Sequence, residues 1–234
     1  MKSEKLTDAS ARPRGRWYQD ACATAHAMEL LGERWSLLVM RELFFGPKRF
    51  SELRAGLPGL SATVLTQRLE GLEAAGVVRR IRMPPPVSAQ LYALTDWGLE
   101  SAPIFQALGR WAARSPAHDP TLAFSASSLM LSLGAMFSPA LAGELAARIG
   151  FRLGHEEFLV TIGDGAIAAR KTPFEDADLI LEGPPRLLAA AIYGGQPWAA
   201  LEATGEVRLA GDRALADRLA RLFPLPEKAP QTFL

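Results

Sequence analysis

Three arginines in four positions, Arg79, Arg80 and Arg82, lie in the β-rich stretch 77–82. Cations clustered on a strand suit a polyanion such as a nucleic-acid backbone. Alternation puts Arg80 and Arg82 on one face and Arg79 on the other. Either face could meet phosphates or a minor groove. Upstream, residues 61–75 carry Leu65, Leu69 and Leu72 within about 60° of each other on a helical wheel of ~100° per residue. Thr63, Gln67 and Glu70 point the other way. A helix seated in the major groove of DNA needs this division, an apolar seam beneath and short polar side chains outward. Gln67 could pair bidentately with adenine, and Thr63 could touch a thymine methyl. Ser61 is placed to cap the helix, and the free backbone N–H groups beside it suit a phosphate. Thr66 joins this outward set. Arg68, on the flank, could bind a phosphate or pair with a nearby acid. Lys48 and Arg49 follow Gly46-Pro47 at the start of a short helix expected to cross the phosphates.

Other chemistry is poorly served. His26, His118 and His155 are scattered and form no H-x-x-x-H pair, and a single cysteine excludes a thiolate zinc cluster. Gly163-Asp164-Gly165 reads as a turn rather than a phosphate loop. Asp176 and Asp178 alternate in a strand-like stretch and are assigned to strand entry and solvent. No catalytic residue, metal or cofactor is expected. Cys22 has His26 four residues on, where one helical turn could bring it close and lower the thiol pKa; Arg16 precedes it by six. The alternative role for Cys22 is a small buried residue at a helix start, and Trp35 reads as packing between the first helices.

The elements that must hold these groups follow from pattern. The chain has 234 residues, 49% hydrophobic and 22% charged, which fits two packed domains. Net charge is +1, but the first half (to 116) is basic and the second acidic, so a polyanion would bind the first. The polar start, residues 1–19, reads as a flexible arm without a signal's apolar region. No apolar run reaches the ~18 residues of a membrane span. One cysteine allows no intrachain disulfide, so a cytoplasmic, nucleoid-associated protein is expected. Residues 22–45 read as helix with a break near Gly32, then a short helix 49–55, then the helix 61–75 stopped by Gly76. A hairpin follows, 77–82 and 90–94, joined through Pro84, Pro85 and Pro86. After Pro103 a helix presents Ile104, Leu108 and Trp111 on one side. Turn-forming residues 115–120 mark the domain boundary. Beyond it, 121–149 reads as helix, with strands expected at 158–162, 166–170, 177–181 and 206–209 and helices at 184–192 and 212–222. The fold class is α+β with a mainly antiparallel second sheet.

Cys22, Leu31-Gly32-Glu33-Arg34-Trp35-Ser36-Leu37-Leu38, Arg41-Glu42-Leu43, Gly46-Pro47-Lys48-Arg49-Phe50, Leu57-Pro58-Gly59-Leu60-Ser61, Leu65-Thr66-Gln67-Arg68-Leu69 and Tyr92-Ala93-Leu94-Thr95 together resemble the HxlR-type winged helix-turn-helix regulators. The resemblance covers about residues 20–114, within a DNA-binding and dimerisation domain taken as 20–115. It implies a homodimer built from the first helix and the helix after the wing. It also implies a palindromic or repeated double-stranded DNA operator and action as repressor or activator. It places a cysteine at position 22, which in some members senses oxidants or electrophiles. The triple proline at the wing tip departs from the family pattern.

Residues 121–230 are similar, through 158–165, 176–183, 205–212 and 222–226, to the sterol-carrier-protein-like fold. That likeness implies a sheet covered by helices over an apolar tunnel for a hydrophobic small-molecule effector. The candidate lining is Leu129, Leu133, Met136, Phe137, Leu187, Leu188, Ile192, Trp198 and Leu201. The expected function is a DNA-binding regulator modulated by that effector. The alternatives are a redox-tuned or constitutive regulator whose second domain is only structural, and a lipid-binding protein with a vestigial head.

Overall fold

The computed structural model describes residues 18–84 and 88–230. Most of the arm expected at 1–19, with Arg16, and the wing-tip residues Pro85, Pro86 and Val87 lie outside the described residues.

The first half folds as α1 (Ala23–Leu31), α2 (Ser36–Leu43), β1 (Lys48–Arg49), α3 (Phe50–Gly56), α4 (Ala62–Ala74), β2 (Val78–Arg82), β3 (Gln90–Leu94), α5 (Asp96–Leu99) and α6 (Ala102–Ala112). The three strands form an antiparallel sheet in the order β1-β3-β2. Its core gathers Val39, Met40 and Leu43 of α2, Leu53 of α3, the α4 leucines, and Val78, Tyr92 and Leu94 of the sheet. Half-buried Trp35 packs against this cluster, with the Arg34 guanidinium 5.6 Å from its ring centre.

The second half follows as α7 (Ala126–Met136), α8 (Pro139–Ala142), β4 (Ala147–Leu153), β5 (Glu156–Gly163), β6 (Ala166–Lys171), β7 (Leu179–Glu182), α9 (Pro185–Gly194), α10 (Trp198–Glu202), β8 (Arg208–Gly211) and α11 (Arg213–Leu219). A five-stranded sheet runs β6-β5-β4-β7-β8, parallel only between β4 and β7. The molecule is thus mixed α+β, and the second sheet is mainly antiparallel.

Lys48 and Arg49, expected at the start of the short helix, pair with β3 as the strand β1 instead, and α10 falls where no element was expected; the largest difference lies at 121–149. Residues 121–149 are not one helix, because the segment ends as the central strand β4. Ser138-Pro139 interrupts α7: proline cannot continue a helical ladder, and Phe137 and Ser138 are extended at ψ 134 and 104. In β4, Ile149, Phe151 and Leu153 alternate inward. Gly150 leaves room for the Phe174 ring, since a Cβ there would sit 2.2 Å from it.

The two halves meet along α6 and α7 and through the edge-on rings of Phe45 and Phe158, 5.5 Å apart. The chain end returns to the first half. Lys228 Nζ donates to Ala113 O and Ser115 O at 3.0 Å each, and the Ala229 N–H to Arg114 O at 2.8 Å. The Ala113 carbonyl at the end of α6 thereby gains a cationic partner.

Candidate nucleic-acid interface

Helix α4 is held from below and open above. Leu65, Leu69 and Leu72 are at most 1% exposed, whereas Thr63, Thr66, Gln67 and Glu70 face solvent. Burying three leucines contributes roughly 1.5–3 kcal/mol each, so the helix has one seating. Ser61 Oγ accepts the Val64 N–H at 3.3 Å, which caps the start and leaves neighbouring N–H groups directed outward. Thr66 Oγ1 donates to Ala62 O at 3.0 Å. At the far end the Gly76 N–H bonds Glu73 O and the Val77 N–H bonds Leu72 O. Gly76 sits at φ +74, the left-handed position this closure requires.

The wing cations separate by register. Arg80 lies opposite Tyr92, and Arg82 opposite Gln90. Arg80 stands 5.8 Å over the Tyr92 ring and binds Glu73 of α4 at 2.8 Å. It is a partly engaged cation. Arg79 and Arg82 are exposed, with no ion pair among the described residues. Arg49 is exposed at the start of α3, its N–H held by Glu52 at 2.5 Å.

Two of the expected DNA contacts are otherwise engaged. Lys48 is 5% exposed and points inward. Its Nζ donates to Glu42 Oε2 at 3.0 Å and to Ser127 Oγ at 3.2 Å. A phosphate cannot reach it without breaking a buried ion pair. Arg68 takes the acid-pairing option, with Nη1 2.7 Å from Glu33 Oε2 in the turn between α1 and α2. Glu42 and the serines that receive it were missed in the sequence, where no local pattern links α2 to residues some 80 positions later.

Cys22 is exposed at the cap of α1, not buried. Its thiol is lowered from the ordinary value chiefly by the backbone N–H groups of Thr24 and Ala25, then by the Thr24 side chain. The lowering expected from His26 comes instead from the helix start.

The expected effector-lining residues come together, but as packed core. Leu129, Leu133 and Leu188 are at most 1% exposed, and Met136, Ile192, Trp198 and Leu201 are buried with them. Phe137 and Leu187 pack at the edge of the same cluster. Its polar atoms are matched internally: Tyr193 Oη and Ser132 Oγ lie 2.6 Å apart, and Trp198 Nε1 donates to Ala216 O. Burial pushes the Tyr193 phenol well above its usual range. An open cleft of about 400 Å³ borders Trp198, Pro197, Leu209 and Arg221; of the expected lining only Trp198 touches it. Asp178 Oδ2 accepts the Arg148 N–H at 2.7 Å, a strand-entry role. Among the described residues no His, Cys, Asp and Glu group could hold a metal.

The HxlR-like helix-turn-helix family model matches residues 30–119, a span containing α4, the wing and α6. The uncharacterized HTH-type transcriptional regulator YvaP of Bacillus subtilis is 43% identical over 86 residues, 37% of this chain and 80% of that protein. The uncharacterized HTH-type regulator sll1512 of Synechocystis is 40% identical over 37% of this chain and 64% of its own length. The HTH-type transcriptional regulator YodB of Bacillus subtilis is 37% identical over 37% and 77%. With its leucine-pinned helix and wing in the matched span, the chain belongs to the HxlR-like helix-turn-helix family of DNA-binding transcriptional regulators.

Proposed function

We propose that this regulator inserts α4 into the major groove of a palindromic or repeated operator, reading bases with Thr63 and Gln67. In this reading Ser61, Thr66, Arg49, Arg79, Arg80 and Arg82 meet the phosphates. The supporting observation is the outward exposure of Thr63 and Gln67 on a helix whose opposite face is wholly buried. Homodimerisation is supported by α1 and α6, neither of which buries a residue, with Met28, Ile104, Leu108 and Trp111 exposed by 43–71%. Footprinting on DNA flanking its own gene tests the reading. Protection of a symmetric site, lost with Gln67→Ala, supports it; equal affinity for all duplexes in both proteins overturns it.

For residues 121–230 we propose a sterol-carrier-like unit that answers a hydrophobic effector, joined to the 20–115 domain. The open cleft of about 400 Å³ bordered by Trp198, Pro197 and Leu209 supports this reading, since the expected lining is itself packed core. To act, the effector must bind one arrangement of the dimer more tightly than another. Thermal-shift screening with hydrophobic compounds tests it; no shift while DNA binding persists leaves the second half structural. A redox-tuned regulator is the second reading, favoured by the exposed, lowered Cys22 thiol. A cytoplasmic location accords with a DNA target, and no helix among the described residues is long and apolar enough to cross a membrane.

A further inference from the structure

A chain of alternating charges crosses from the DNA-binding half into the second sheet. Glu42 of α2 is 1% exposed. One of its carboxylate oxygens accepts the Ser125 hydroxyl at 2.6 Å and the Arg41 guanidinium at 3.0 Å, and the other accepts Lys48 Nζ. Lys48 Nζ also lies 3.6 Å from Glu156 Oε2 of β5, the same oxygen that receives Lys171 Nζ of β6 at 2.7 Å. The order is therefore carboxylate, ammonium, carboxylate, ammonium, with the first three members nearly solvent-free.

Lys48 is also one end of a rung across the wing sheet. It lies opposite Tyr92, which lies opposite Arg80. Side chains opposite one another in adjacent strands share a face. Arg80 stacks over Tyr92 and grips Glu73 on α4. A continuous series thus runs from β6 through Glu156, Lys48, Tyr92 and Arg80 to the DNA-reading helix.

We propose that this series is a coupling element, through which the position of the β5–β6 hairpin sets the wing and the end of α4. The physical reason is directionality. Apolar contacts such as Phe45 on Phe158 tolerate sliding, but a buried ammonium between two carboxylates does not, because a displaced member is left desolvated without its partner. The seam is particular to this chain's architecture. YvaP, whose 86 matched residues are 80% of its length, has no room for a counterpart of residues 121–230.

Hydrogen–deuterium exchange of the full chain tests it. Glu156→Gln and, separately, Lys171→Met should speed exchange in residues 78–82 and 90–94 by about threefold or more, with β7 and β8 unchanged. Lys171 is one-third exposed, so its variant keeps the test open if Glu156→Gln does not fold. Leu219→Ala in α11, which cuts the second core away from the seam, should leave the wing unaffected. The proposal is overturned if both seam variants leave the wing at the parent rate. It is equally overturned if Leu219→Ala accelerates the wing as much as they do.

Discussion

Arg68 on the flank of α4 holds Glu33 at 2.7 Å, so this cation ties α4 to the turn between α1 and α2. Glu33 is largely exposed while Arg68 is 17% exposed, with its Nε buried and unpartnered. The pair positions the helix more than it stabilises the fold, because water screens the acid.

Arg68→Met, which keeps the apolar stem packed, should therefore cost no more than about 1 kcal/mol in urea unfolding. Its DNA affinity should fall less than that of Gln67→Ala. A larger affinity loss for Arg68→Met would return Arg68 to the phosphates.

Gln67 and Arg79 should fail in different ways. Gln67→Ala should cost about 1–3 kcal/mol on the best site and little on unrelated duplexes. Arg79→Ala should weaken all duplexes alike and reduce the slope of log affinity against log salt by about 0.9. Fluorescence anisotropy at four salt concentrations separates the two. A sequence-dependent loss for Arg79→Ala would make it a base reader.

Glu156 gives the fold an acid limit. Burial raises its carboxyl pKa, but the Lys171 hydrogen bond and the charges of Lys48 and Lys171 outweigh burial and leave it below the ordinary 4.5. A carboxylate lowered in the folded state contributes stability above the unfolded pKa and loses it as pH falls through the folded one. Melting temperature should decline below pH 4.5 in the parent protein. Glu156→Gln, less stable at neutral pH, should show a shallower decline there. Parallel acid limbs would remove Glu156 as the source.

Cys22 should react as a lowered thiol. Iodoacetamide alkylation should reach half its limiting rate at a pH below 9.0, the ordinary value for the group. Cys22→Ser should abolish labelling, since no other cysteine exists. A midpoint at or above that value would contradict the role of the helix-start N–H groups.

Local patterns carried much of the first half. The leucine spacing of 61–75, Ser61 as cap and Gly76 as stop found α4 to within a residue at its end, because each signal acts within one helical turn. Likewise the paired runs around the prolines located β2 and β3. Pattern misleads where local and distant forces diverge. Ser138-Pro139 and Gly143 do mark the end of the helical segment, but only pairing with β5 and β7 makes residues 147–153 a strand.

What the sequence determined by itself is the outward face of α4, since a helix buries its leucine face and thereby turns Thr63 and Gln67 outward wherever it packs. Which cations remain available was decided only in three dimensions. Lys48 and Arg49 are adjacent and chemically alike, yet one is buried against Ser127, 79 residues away, and the other faces water. Strand alternation separates them, but the partners waiting on the inner side come from separate elements: Glu42 on α2, six residues back, and Ser127 and Glu156 from the second half. A buried charge goes where its counter-charge is, and only the folded chain brings the two within 3 Å.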